Sequence, residues 1–189
     1  MLAVAMLCAL SMTQSPVACP PDDATIYAAI LRHTIRPTAK HLLRDLPDNE
    51  LPFVIVRDST LAVCDTSGID AGPCIPDVAF KWLDGLLSGR DYLVQEFRQA
   101  NAVRQSIAGL EVAGAIIVEA DRIQDVQSAQ VGRIRGNAGF SRPIYTHSGH
   151  AIVYAEYYCG AACGNGWLLL LDSNSGQWLV TSVKLVRIS

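Results

Sequence analysis

An excess of either charge is the first thing this chain lacks: 15 Lys and Arg stand against 18 Asp and Glu, for a formal net charge of −3. No lysine run or basic stripe breaks that balance, so there is no electrostatic footprint for nucleic acid or for an anionic membrane surface. Apolar runs of bilayer length are missing too. The N-terminal run from Leu2 to Met12 is about eleven residues, where a spanning helix needs about twenty. Internal repeats, low-complexity tracts and linkers are absent, which gives a second domain no support. The glycine-rich stretch near the C-terminus is followed by a strand pattern and by no lysine with Ser or Thr, so it lacks the charge and the helix N-terminus of a phosphate cradle.

Half of the residues are apolar and 17% are charged, the composition of a folded domain. Leu2 to Met12 has the length of a signal-peptide core, and Ser15, Pro16, Val17 and Ala18 supply small residues around a cleavage point. The expectation is a signal peptide over 1–18 and a single α+β domain over 19–189, exported to the periplasm or the medium. No Lys or Arg precedes the apolar run, which leaves room for a translation start upstream. A lipid anchor at Cys19 is the alternative processing, although Pro16 stands where a lipoprotein signal carries a large aliphatic residue.

Within the domain, Asp22 and Asp23 cap a helix from about Asp23 to Ile35, which Pro37 ends. Leu51 to Val56 reads as a strand. Pro76 and Asp77 open a second helix and Asp91 a third. Val112 to Val118 is a short strand, and Arg122 to Asn137, being polar, reads as a surface excursion. From Ala151 to Tyr158 the residues alternate, with Ala151, Val153, Ala155 and Tyr157 on the expected core face. Trp167 to Leu171 is an apolar strand, and Asp172 to Gly176 is a hairpin turn into the last strand. The expected fold is α+β: N-terminal helices packed on one face of a twisted antiparallel sheet ending in a C-terminal β-meander.

Between the first two meander strands lies Cys159-Gly160-Ala161-Ala162-Cys163-Gly164-Asn165-Gly166. Gly160, Gly164 and Gly166 permit positive φ, so the chain can double back there and bring the two sulfurs together. Ser141-Arg142, Ala151 to Tyr154, Tyr158-Cys159-Gly160, Cys163-Gly164, Gly166 and Gly176-x-Trp178 together resemble a group of bacterial exported proteins. The resemblance covers roughly the last fifty residues, and more loosely Phe97, Asn101 and Arg57 to Thr60. It implies fold and export, and it implies no reaction.

Cys8 falls in the signal and Cys19 at its edge, leaving Cys64, Cys74, Cys159 and Cys163. Four cysteines in an oxidising compartment permit three pairings. The sequence-local one is expected, Cys64 with Cys74 and Cys159 with Cys163. Other chemistries fit less well. Asp65-Thr66-Ser67-Gly68 is one residue too long for an aspartic-protease motif and has no second copy. His147, His150, Cys159 and Cys163 have the residue types of a zinc set, but an extended strand would separate His150 from Cys159 by about 30 Å. Cys159 and Cys163 alone could hold Cu(I) with His33 or His41, or act as a redox dithiol. Tyr154, Tyr157, Tyr158, Trp167 and Trp178 could form an aromatic ligand surface, with core packing the expectation for most of them. No nucleophile and base pair emerges, and no cofactor is implied. The expected function is a non-catalytic exported binding or envelope-associated domain of unknown partner, with a thiol site at Cys159 and Cys163 as the alternative.

Overall fold

The structure is a computed structural model that describes residues 22–41, 53–64, 74–87, 91–129, 134–146, 148–160 and 163–188. The expected signal peptide over 1–18, Cys19, the loop 65–73, His147, and Ala161 and Ala162 lie outside them. Among the described residues, helices and one seven-stranded sheet make an α+β fold. The strands are β1 (Phe53–Arg57), β2 (Ala115–Val118), β3 (Ile134–Phe140), β4 (Ile144–Tyr145), β5 (His150–Gly160), β6 (Cys163–Asn174) and β7 (Gln177–Ile188). Their order is β2-β1-β3-β5-β6-β7, with β4 paired to β5.

The C-terminal meander is present, β5, β6 and β7 pairing antiparallel in succession. Ser175 and Gly176 both take positive φ at the second turn, 52° and 80°, the backbone of a two-residue hairpin loop. The wholly antiparallel sheet is corrected: β1 runs parallel to both β2 and β3, so the sheet is mixed. The surface excursion over Arg122 to Asn137 is corrected as well. It contains a helix, α5 (Ile123–Ala129), and most of β3, which lies inside the sheet between β1 and β5.

Helices cover both faces. On one face α1 (Asp22–Ile30), a π-helical turn (Leu31–Ile35) and α2 (Arg36–His41) pack Ile26, Tyr27, Ile30 and Ile35 against Val54, Val56, Phe140, Val153, Tyr157 and Leu169. On the other, α3 (Asp77–Leu86) and α4 (Asp91–Ala100) set Phe80, Leu83 and Phe97 against Ile152, Tyr154 and Leu168. Beside them Ile123 of α5 meets Ile55 and Val118. Neither face of β5 is therefore the outer one. Pro37 does not end the first helix. Just before it, the Arg36 N–H reaches back five residues to the Leu31 carbonyl, a local widening that lets the helix pass a residue with no donor. Asp23 stands in the first turn of that helix, and its carboxylate accepts from the Tyr145 hydroxyl.

Asn101, Ser141 and Arg142, all within the resemblance, form a bracket between layers. Buried Asn101, at the end of α4, donates through Nδ2 to the carbonyls of Phe97 (2.9 Å) and Arg142 (3.2 Å), and its Oδ1 accepts from the Arg142 N–H at 2.6 Å. Ser141 Oγ accepts from the Tyr154 N–H at 2.8 Å, and the Ser141 carbonyl accepts from Tyr27 Oη at 3.1 Å. A buried amide or hydroxyl stripped of such partners costs about 1–3 kcal/mol each, which accounts for these residue types without chemistry.

Candidate functional site

Along β5, the side chains facing α3 and α4 change character at one point. Ile152 and Tyr154 belong to the apolar core on that side, and then come Glu156 and Tyr158. Cross-strand register sets Glu156 between two glycines, Gly139 of β3 and Gly166 of β6, and Gly166 pairs in turn with Arg187 of β7. Arg57, the last residue of β1, is one step beyond the Val56 and Ala138 pair, level with Gly139. The row therefore reads Arg57, Gly139, Glu156, Gly166, Arg187. The glycines leave room that other side chains take. A Cβ on Gly139 would come within 2.8 Å of Leu61 Cδ2, and one on Gly166 would run into Tyr154 Oη.

Glu156 is 1% exposed. Its Oε2 accepts from the Tyr158 hydroxyl at 3.0 Å, while Oε1 is buried and has no partner. Tyr154 Oη and Arg57 Nε are likewise buried without partners. Arg57 Nη2 donates to Asn137 Oδ1 at 3.5 Å, a distance at the outer limit of a hydrogen bond. Burial pushes the Glu156 carboxyl up to about 7, against the opposing pull of the Tyr158 hydrogen bond and of Arg187, Arg57 and Arg104. Burial, then the neighbouring Glu156, raises Tyr158 to about 12. Tyr154 is raised chiefly by burial, and Arg57 is lowered chiefly by burial. The row is a buried acid that holds its proton near neutrality, surrounded by guanidinium groups and hydroxyls.

Both cysteine pairs stand at disulfide distance, with Cα separations of 4.9 Å for Cys64 and Cys74 and 5.2 Å for Cys159 and Cys163. The glycine loop is shorter than expected. β5 runs through Gly160 and β6 begins at Cys163, so Gly164 and Gly166 are strand residues; of the three, Gly160 alone has positive φ, 155°. Replacing Cys159 and Cys163 together by serine should lower stability by about 2 kcal/mol, the loop-closure contribution of so short a ring. Chemical denaturation of the oxidised protein and the variant measures it, and a loss near zero would deny the bond a structural role.

Tyr154, Tyr157 and Trp167 are core residues, while Trp178 flanks the core beside Tyr145, ring centroids 6.0 Å apart. Of the five, Tyr158 joins the polar row through Glu156, and Tyr154 reaches it with its buried hydroxyl. His150 pairs through Nδ1 with Asp172, its cross-strand neighbour, and both are partly exposed. Exposed His33 lies on the π-helical turn, and among the described residues no three His, Cys, Asp or Glu gather as metal ligands. A cleft of about 330 Å³ beside α1, α4 and β4 is lined by Asp23, Glu96, Arg142 and Tyr145, but the Asp23 carboxylate there is already engaged by Tyr145. Comparison with protein-family models, curated proteins and solved structures returns no match.

Proposed function

We propose that this chain is an exported binding domain that acts without catalysis, and that its ligand is held by the polar row of Arg57, Glu156, Tyr158 and Arg187. One observation carries the reading: three polar atoms, Arg57 Nε, Glu156 Oε1 and Tyr154 Oη, are buried in an electrostatically linked cluster with nothing to bond. Native interiors rarely leave such groups unpaired, and sites for a ligand are among the exceptions. Export draws support from the two cysteine pairs, since disulfides persist in oxidising compartments. No described helix is long and apolar enough to cross a membrane.

The thiol reading requires prior reduction, because the Cys159 and Cys163 sulfurs are engaged with each other. A thermal-shift panel of anionic, neutral and cationic small molecules tests the proposal. At least one compound should raise the melting temperature of the wild type, and Arg57→Met should remove that shift. Hits indifferent to Arg57→Met, or steady turnover in hydrolase or oxidoreductase assays, would overturn it.

A further inference from the structure

The polar row carries more than the existence of a ligand; it points to the ligand's chemistry. Below about pH 7, each unpartnered atom has a hydrogen to offer: Arg57 Nε–H, the Tyr154 hydroxyl, and the Glu156 carboxyl, whose Oε2 already accepts from Tyr158 and whose Oε1 is left to carry the proton. Three buried groups linked electrostatically through Glu156, each with a hydrogen to donate, are matched by a group that accepts. The charge points the same way. Arg57, Arg104 and Arg187 all act on Glu156, while Asp58 is the one carboxylate acting on Arg57 besides it. The local balance is positive, and further so once Glu156 is neutral.

We infer that Arg57, Tyr154 and Glu156 bind a small oxyanion, and that the anion is taken up together with a proton held on Glu156. This rests on the binding reading above and names the ligand class. An ionised Glu156 would set a negative charge and a bare acceptor against the anion, and a protonated one adds a donor. The groups facing Glu156 are Arg57 from β1, Arg104 from the segment between α4 and β2, Tyr154 and Tyr158 from β5, and Arg187 from β7. Of these groups Glu156 is the one that burial brings to about 7, so one group switches the site. Its position supports this: Glu156 is 1% exposed and flanked by two glycines, with Tyr158 on its Oε2 and no partner on its Oε1.

Sulfate is the suitable probe because it does not titrate between pH 6 and 8.5. Calorimetric titration of the full chain at constant ionic strength should give binding at pH 6 that weakens at least tenfold at pH 8.5, since only the protonated fraction is competent. Glu156→Gln should bind with affinities at the two pH values within about twofold of each other. Arg57→Lys, which keeps the charge and loses the Nε–H, should weaken binding about tenfold at pH 6, and circular dichroism checks that both variants are folded. Sulfate affinity that is equal at the two pH values in the wild type, yet still lost in Arg57→Lys, would overturn the proton while leaving the site. Absence of sulfate binding at both pH values would overturn the oxyanion assignment. The binding reading itself would then stand or fall on whether neutral or cationic compounds in the thermal-shift panel bind in an Arg57-dependent way.

Discussion

Glu156→Gln is expected to make the domain more stable than the wild type at pH 8, by about 3 kcal/mol, and to leave it nearly unchanged at pH 4. The folded protein keeps the Glu156 proton up to about pH 7, and the unfolded chain releases it near its ordinary value of 4.5. Between those two values the native state binds more protons than the unfolded state, so stability falls as pH rises. The loss is complete above about pH 7, and its size follows from about 1.4 kcal/mol for each pH unit between the two values. Glutamine keeps an acceptor for Tyr158 and never ionises, so it removes the loss. In a chain of this size the gain should appear as a rise of roughly 5 to 10 °C in Tm at pH 8. Melting curves of both proteins from pH 4 to 8.5, in buffer without sulfate or phosphate, make the comparison. If the variant is instead less stable at pH 8, Glu156 is ionised in the folded protein and stabilised by Arg57 and Arg187, and the unpartnered acid does not exist.

How much of this could be read from the residues depends on the range over which each feature is decided. The meander was legible because its information is local: alternating and continuous apolar strands, and Ser175-Gly176 between them. α3 and α4 were legible for the same reason, since an acidic first turn and apolar spacing lie within ten residues of each other. Which face of the sheet those helices cover is not local, and amphipathic spacing does not encode it. β3 went unread because Ile134, Ala138 and Phe140 are its only apolar side chains. Two of its other positions are glycine because Leu61 and Tyr157, distant in the chain, occupy the space a side chain would fill. Pro37 misled because a one-residue widening of the helix is invisible to a rule about donors.

The polar row left a single trace in the sequence. Glu156 is the one charged residue between Ala151 and Tyr158, and alternation alone assigns it to a solvent face. That assignment failed because the sheet is covered on both sides, which turns an ordinary surface glutamate into a buried acid. Arg57 and Arg187 could not have been found: they come from strands separated by most of the chain, and only the register brings them level with Glu156.

The second large effect follows from the glycine beside that acid. Gly166→Ala should destabilise the domain by about 3 kcal/mol, at the upper end of what overpacking costs, because its new methyl group meets Tyr154, a side chain with no exposed surface into which to retreat. The conflict is chiefly with one atom, Tyr154 Oη; the ring carbon Cζ stands at 3.1 Å and Arg187 Cβ at 3.2 Å, distances that small shifts relieve. Tyr154→Phe deletes the hydroxyl. Because that hydroxyl is buried with no partner, phenylalanine alone should be neutral or stabilising by about 1 kcal/mol. In the phenylalanine background, Gly166→Ala should cost only about 1 kcal/mol, a coupling of about 2 kcal/mol between two residues in contact. Denaturant unfolding of the two single variants and the double variant closes the cycle. Equal costs in both backgrounds would mean that Gly166 is required by its own backbone or by Arg187, and that the tyrosine hydroxyl is not packed over the strand where the geometry of the polar row requires it.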